Sequence, residues 1–297
     1  MNLLEETKQI CLAETRHALS SGRLWSLFAL YLLFSTFSGV AVHGCSRLVT
    51  RSLDTQSEAL AQNGEAPAAN LSLQEGRRAF IKFFFSNDDE ELAQSLENFP
   101  LPLLFLFELG LFFLPVFIAL LGFDQISSET GPRTLRFLTV RVRREAIVLS
   151  RLLSQGLLVW ACVGGLLLLQ LLYGFFIAPE VGLFEGLLWA GRLGLKAVLF
   201  CLPYLALTSL CSTLTRSSAG SLFLNLFCLL ALWLLVALDG FADAEWTHGL
   251  SYVSVWRYRT NLLHPHLLTL LGAALAHLVF AAVYVAAGLY QINTRDV

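Results

Sequence analysis

Charge is the property that this chain has least of. Only 14% of its 297 residues are charged and 56% are hydrophobic, whereas an ordinary soluble domain carries about 25% charged residues. The deficit argues against a soluble protein. It also argues against a nucleic-acid partner, because no basic patch on a folded domain is present. The mean hydropathy of +0.65 indicates a membrane protein.

Motifs of nucleotide and hydrolytic chemistry are missing as well. The chain has no G-x-x-x-x-G-K-[ST] phosphate loop, no H-E-x-x-H, no G-x-S-x-G and no dinucleotide-binding fingerprint. An intramembrane enzyme assembled from distant spans is an alternative, but no pair of residues nominates one. We therefore expect a chain that is not an enzyme, carries no cofactor and depends on another polypeptide for any ATP hydrolysis.

Long apolar runs are what the chain has in abundance. Six of them reach the roughly 20 residues that a helix needs to cross the bilayer, and they predict an all-α polytopic membrane protein. The spans are 24–42, 101–122, 157–178, 188–211, 219–238 and 267–290. The other segments are an N-terminal amphipathic helix (1–23), a helical extracytoplasmic loop (43–100), a cytoplasmic segment (123–156) and an extracytoplasmic interfacial loop (239–266).

Lysine and arginine are distributed unequally between the two sides. With six spans both termini lie on one side, which holds 11 of these residues against 7 on the other. Because cytoplasmic loops carry the excess, both termini and the 123–156 segment are predicted to be cytoplasmic.

The outer loops offer few ligand patterns. His264-Pro265-His266 lacks carboxylates at helical spacing nearby, so no metal site is expected, and an aromatic segment at the membrane interface explains this stretch better. In the 43–100 loop, the acidic run that follows Asn87 predicts a short helix with Asn87 as its N-cap.

Three ionisable residues, Glu108, Arg192 and Lys196, fall inside predicted spans, where a charge costs about 2.5 to 3.5 kcal/mol at mid-bilayer. Arg192 and Lys196 lie one turn apart on one helix face, at a depth that overlaps that of Glu108. One interpretation is an interhelical pair of Glu108 with Lys196 or Arg192. The other is that both basic side chains extend to the headgroups.

The 123–156 segment is predicted to contain a second amphipathic helix. Gly131-Pro132 can begin it, since proline is tolerated at the first helical position. Leu135 and Leu138 then share one face, and Arg133 and Arg136 another. The alternative is a basic loop that obeys the inside rule and does nothing else.

Three stretches resemble a known family. They are Glu14–Arg23, the pattern formed by Phe123-Asp124, Glu129, Thr134-Leu135-Arg136-Phe137-Leu138, Arg144 and Arg151, and the closing Asn293–Val297. They resemble the permease subunits of type-2 ABC (ATP-binding-cassette) exporters, especially those like the permease of the nitrous-oxide-reductase maturation system.

That resemblance implies two permease copies, as a homodimer or a closely related heterodimer, in the bacterial cytoplasmic (inner) membrane. It also implies that the helix after the second span is a coupling helix, which docks on a separate ABC ATPase subunit. Two copies of that subunit are expected, and they bind the ATP and Mg²⁺. The residues assigned to this contact are Asp124, Glu129, Arg133, Thr134, Leu135, Arg136, Leu138 and Arg144.

Two functions follow from this assignment, namely export and mechanical transmission to an extracytoplasmic protein bound by the 43–100 loop. Membrane lipid is the remaining expected partner. The alternatives from other classes are a secondary transporter and an anchoring or signalling subunit for an extracytoplasmic partner.

Overall fold

The computed structural model describes residues 3–22, 24–33, 37, 81, 89–96, 101–130, 142–177, 183–241 and 249–294. These residues form helices and connecting turns, and no strand occurs among them. In chain order the helices are α1 (Leu3–Ser20), α2 (Leu24–Leu33), α3 (Glu90–Leu96), α4 (Leu101–Gly122), α5 (Ser127–Thr130), α6 (Arg144–Ile177), α7 (Leu183–Leu214), α8 (Ser218–Phe241) and α9 (Leu267–Thr294). Two short 3-10 helices, Val255–Tyr258 and Thr260–Leu263, precede α9.

Four of the described helices are long and apolar enough to cross a membrane. The qualifying stretches are Arg144–Leu172 in α6, Gly186–Leu214 in α7, Ser218–Asp239 in α8 and Leu267–Thr294 in α9. The second predicted span has the bounds of α4, whose Phe107–Gly122 part is a shorter apolar helix, as is α2. The described residues therefore supply four candidate spans where the sequence predicts six.

The α6 helix begins well before the predicted third span. It starts at Arg144, inside the 123–156 segment, and continues to Ile177. No proline interrupts this stretch, and its first glycine is Gly156. Its 34 residues extend roughly 50 Å at about 1.5 Å per residue, beyond the ~30 Å hydrocarbon core. The helix is thus long enough for its first turns to stand outside the membrane.

The central helix of the bundle is α7, which packs against α4, α6, α8 and α9. Phe200 in α7 is fully buried, and its ring centroid lies 5.0 Å from that of Tyr204, 5.8 Å from Trp256 and 6.1 Å from His277. In contrast, α8 and α9 expose large apolar side chains. Such a surface suits acyl chains, which are as apolar as leucine.

The two ends of the bundle differ in what they carry. The α1 end holds α1, the turn that follows α4 and the start of α6. The opposite end holds α3 and the two 3-10 helices. The first 3-10 helix packs against α8 and α9, and the second packs against α9.

The N-cap of α3 differs from the prediction. The helix begins at Glu90, and Asp89 Oδ1 accepts hydrogen bonds from the backbone N–H groups of Glu91 (3.1 Å) and Leu92 (3.3 Å). Asp89 is therefore the cap, and the assignment of Asn87 was wrong. An N-cap directly precedes the first helical residue and satisfies its second or third N–H, and residue 89 holds that position.

Candidate functional site

The residues assigned to the coupling contact are only partly described. Arg133, Thr134, Leu135, Arg136 and Leu138 lie outside the described residues. Of Glu129 the structure describes the backbone, in α5. The stretches on either side, 123–130 and 142–144, are described, and they show how the 131–141 segment joins the rest of the chain.

The chain enters the 131–141 segment from a turn that is fixed to α7. The fully buried Ser212 of α7 accepts hydrogen bonds at Oγ from the backbone N–H groups of Ile126 (2.9 Å) and Ser127 (3.0 Å). N–H groups at the start of a helix have no partner within it, so the hydroxyl of Ser212 supplies an acceptor for the beginning of α5. Gln125 Nε2 also donates to Arg151 O, 3.5 Å away in α6.

The chain leaves the segment through two further contacts. The backbone N–H of Arg143 donates to Glu6 Oε2 of α1, at 3.4 Å. Arg144 Nη1 donates to the carbonyl oxygens of Ile292 (3.0 Å) and Asn293 (3.3 Å) in the last turn of α9. Because the last carbonyls of a helix lack partners within it, Arg144 both caps α9 and joins it to the start of α6.

The α1 helix lies along the first turns of α6. Glu14 Oε1 is 3.5 Å from Nη2 of the buried Arg151, and Thr15 Oγ1 is 3.0 Å from Ser154 Oγ. Cys11 is buried. The predicted amphipathic helix therefore presents a mixed polar and apolar face to a neighbouring helix.

A glycine allows α4 and α6 to approach each other where α4 ends. Gln155 is buried, and its Nε2 donates to Ile118 O of α4 at 3.0 Å. A Cβ at Gly122 would overlap the amide group of Gln155, so this contact needs the glycine. Sequence reasoning did not single out Gln155 or Ser212. The signal that would have found them is a polar side chain within an otherwise apolar helix.

The second polar group of the site lies at the opposite end, inside the bundle. Lys196 Nζ is 3.4 Å from Glu108 Oε1, and Arg259 Nη1 is 3.5 Å from Glu108 Oε2. The side chain of Lys196 is 2% exposed, that of Glu108 11% and that of Arg259 18%. One carboxylate therefore lies between two cations.

The structure separates Arg192 from this group. Its guanidinium lies over the ring of Trp189, with 5.4 Å between its central carbon and the ring centroid. Arg259, which sequence reasoning placed in an interfacial loop, takes the second position beside Glu108 and stacks on Trp256 at 4.6 Å. The 3-10 turns that precede α9 carry Arg259 to this position.

Other ion pairs at the opposite end join the connecting segments. Arg257 binds Asp239 and Ser251. His264 Nε2 lies 3.0 Å from Asp89 Oδ2, and His266 Nε2 lies 2.7 Å from Glu91 Oε2. In the part of the chain that the structure describes, no group of three or more metal-ligating side chains is placed to hold an ion.

The fold and these polar groups define a class, that of multi-pass helical membrane proteins with fixed polar junctions at the ends of their spans. The family can be stated too. The model for ABC-2 family transporter proteins matches residues 9–297, and the chain belongs to that family. It is a transmembrane subunit of an ABC transporter, and membership implies an ABC ATPase partner in general. The predicted type-2 ABC permease is confirmed at this level. No curated protein matches the chain.

Proposed function

We propose that this chain is an ABC permease whose energy comes from ATP hydrolysis on a separate ATPase subunit, in the manner of the nitrous-oxide-reductase maturation permease that the sequence resembles. Two permease copies, identical or closely related, form the transmembrane unit. Two ATPase subunits bind ATP and Mg²⁺, and this chain is not itself an enzyme and holds no cofactor.

The observation that supports this proposal is the fixation of both ends of the 131–141 segment. Its entry is bonded to α7 through Ser212, and its exit is bonded to α1 through Glu6 and to α9 through Arg144. A displacement of the segment by a docked ATPase therefore acts on several helices at once. Leu135 and Leu138 provide apolar anchors for docking, while Arg133 and Arg136 pair with acidic groups of the partner.

We place both termini in the cytoplasm of a bacterium and the spans in its inner membrane. The lysine and arginine excess favours this orientation. It puts the α1 end, with the 131–141 segment proposed to dock on the ATPase (the docking segment), on the side where ATP is available.

Two outcomes of ATP hydrolysis fit such a permease. In export, a solute is moved across the membrane. In mechanical transmission, the motion reaches an extracytoplasmic protein bound by the 43–100 loop. ATPase stimulation by a solute alone supports export, whereas stimulation that requires an outer protein supports transmission.

The docking assignment is tested with Leu135→Asp. A buried carboxylate without a partner opposes docking, so we expect the ATPase no longer to co-purify with the permease, while the amount of permease in the membrane is unchanged. The matched control is Leu12→Asp, which makes the same change on the exposed face of α1 and is expected to leave co-purification intact. Equal co-purification of Leu135→Asp and the unmodified chain would refute the docking assignment.

A further inference from the structure

A cavity of about 450 Å³ lies at the opposite end of the bundle. Its walls come from α7, the start of α9, the second 3-10 helix and α3. This volume falls in the range of 300 to 1,000 Å³ that is usual for small-ligand pockets. It exceeds what packing defects leave empty in a protein interior, where voids larger than a water molecule are few.

The charge around this cavity has one sign. Arg192, Lys196 and His264 line it, and no acidic side chain does among the described residues. His264 is bonded to Asp89, but Arg192 has no carboxylate within salt-bridge distance in the described part of the chain. Glu108 is shared between Lys196 and Arg259, so this buried group has two basic side chains for one carboxylate.

An excess cation in a low-dielectric site is costly unless an anion accompanies it. Lys196 is only 3% exposed, so bulk solvent does not provide that anion. The cavity is therefore complementary in charge to an anionic group placed between Arg192 and Lys196, which lie one helical turn apart in α7.

The remaining wall of the cavity is apolar and reaches the outer surface of the helix bundle. Leu195 and Leu199 of α7 and Leu270 of α9 form much of it, and Leu195 is 62% exposed. In a span of this kind the exposed side faces acyl chains. A ligand that enters from there brings its own hydrocarbon chain, which a water-soluble anion lacks.

We propose that this cavity binds one acidic phospholipid, with its headgroup phosphate at Arg192 and Lys196 and an acyl chain along Leu195, Leu199 and Leu270. The phosphate supplies the counter-charge that the Glu108 group lacks. The inference goes beyond the proposed coupling function, and its test uses the permease alone, so failure of ATPase docking leaves it untouched.

The experiment measures lipid retained by the purified full-length chain in native mass spectrometry. Phosphatidylglycerol and phosphatidylcholine with the same acyl chains are offered in equal amounts. We expect one phosphatidylglycerol to be retained per chain, in preference to phosphatidylcholine. Loss of one charge-assisted contact is worth about tenfold in affinity, so Arg192→Gln and Lys196→Gln should each reduce this preference by about that factor.

Two further variants separate a built site from general attraction of acidic lipid. Leu195→Trp places a larger side chain on the apolar wall of the cavity without changing charge, and it should also weaken retention. Because Leu195 and Arg192 are both exposed, neither Leu195→Trp nor Arg192→Gln disturbs buried packing. Arg216→Gln removes an exposed charge between α7 and α8 and should change nothing. Glycerol 3-phosphate, which has no acyl chain, should not compete. Equal retention of both lipids, equal effects of Arg192→Gln and Arg216→Gln, or full competition by glycerol 3-phosphate would each overturn the proposal.

Discussion

At the scale of single residues, Glu108 shows how a buried carboxylate selects its partners. The sequence offered Lys196 or Arg192, which lie on one face of one helix. The structure places Lys196 3.4 Å from Glu108 and Arg192 over Trp189. The second cation at Glu108 is Arg259. Removing this carboxylate leaves two cations without their anion, whereas removing Lys196 leaves a matched pair.

We therefore predict unequal effects for two neutralising substitutions. Glu108→Gln should lower the free energy of unfolding by about 3 kcal/mol, the cost of breaking a buried ion pair. Lys196→Gln should cost clearly less, because Arg259 still neutralises Glu108. Unfolding of the purified protein in detergent, followed by loss of helical circular dichroism, measures both. An equal or larger loss for Lys196→Gln would show that Arg259 does not share the carboxylate.

At the scale of helices, the α1 end joins elements that are distant in sequence. Ser212 of α7 holds the turn after α4, and Arg144 of α6 holds the end of α9. Sequence reasoning assigned Arg144 to the ATPase contact, but its guanidinium is bonded to the carbonyls of Ile292 and Asn293. Arg144 thus fixes the exit of the 131–141 segment, for which we propose docking on the ATPase.

The Ser212 junction can be tested with a control three residues away in the same helix. Ser212→Ala leaves two buried N–H groups without an acceptor and should destabilise the chain by about 1 to 3 kcal/mol. Ser209 is also buried, but its hydroxyl has no hydrogen-bond partner among the described residues, so Ser209→Ala should be neutral or slightly stabilising. Thermal unfolding midpoints in detergent compare the two, and similar values would contradict the role of Ser212.

At the scale of the whole molecule, the proposed orientation implies which end would meet the ATPase. An ABC-2 permease receives its energy where ATP is bound. The α1 end contains α1, the 123–130 turn and the beginning of α6. All of these flank segments that the lysine and arginine distribution assigns to the cytoplasm.

Reporter fusions test this orientation. A green fluorescent protein fused after Val297 should fluoresce, because it folds in the cytoplasm. Alkaline phosphatase inserted at residue 180, between α6 and α7, should be active, because that connection is predicted to lie outside. A dark C-terminal fusion together with an inactive insertion at residue 180 would invert the topology and place the docking segment on the wrong side.

The sequence by itself determined the class of this protein, because a helix that crosses a bilayer must be long, apolar and sparing of charge, and such runs can be read without any tertiary contact. Local motifs likewise indicated the ABC permease family. Only the tertiary structure decided which polar groups meet: Arg259 with Glu108, Arg144 with the end of α9, and Ser212 with the turn after α4. These pairs join residues dozens of positions apart, and their choice depends on how the helices pack and on the geometry of the turns between them, which periodicity does not encode.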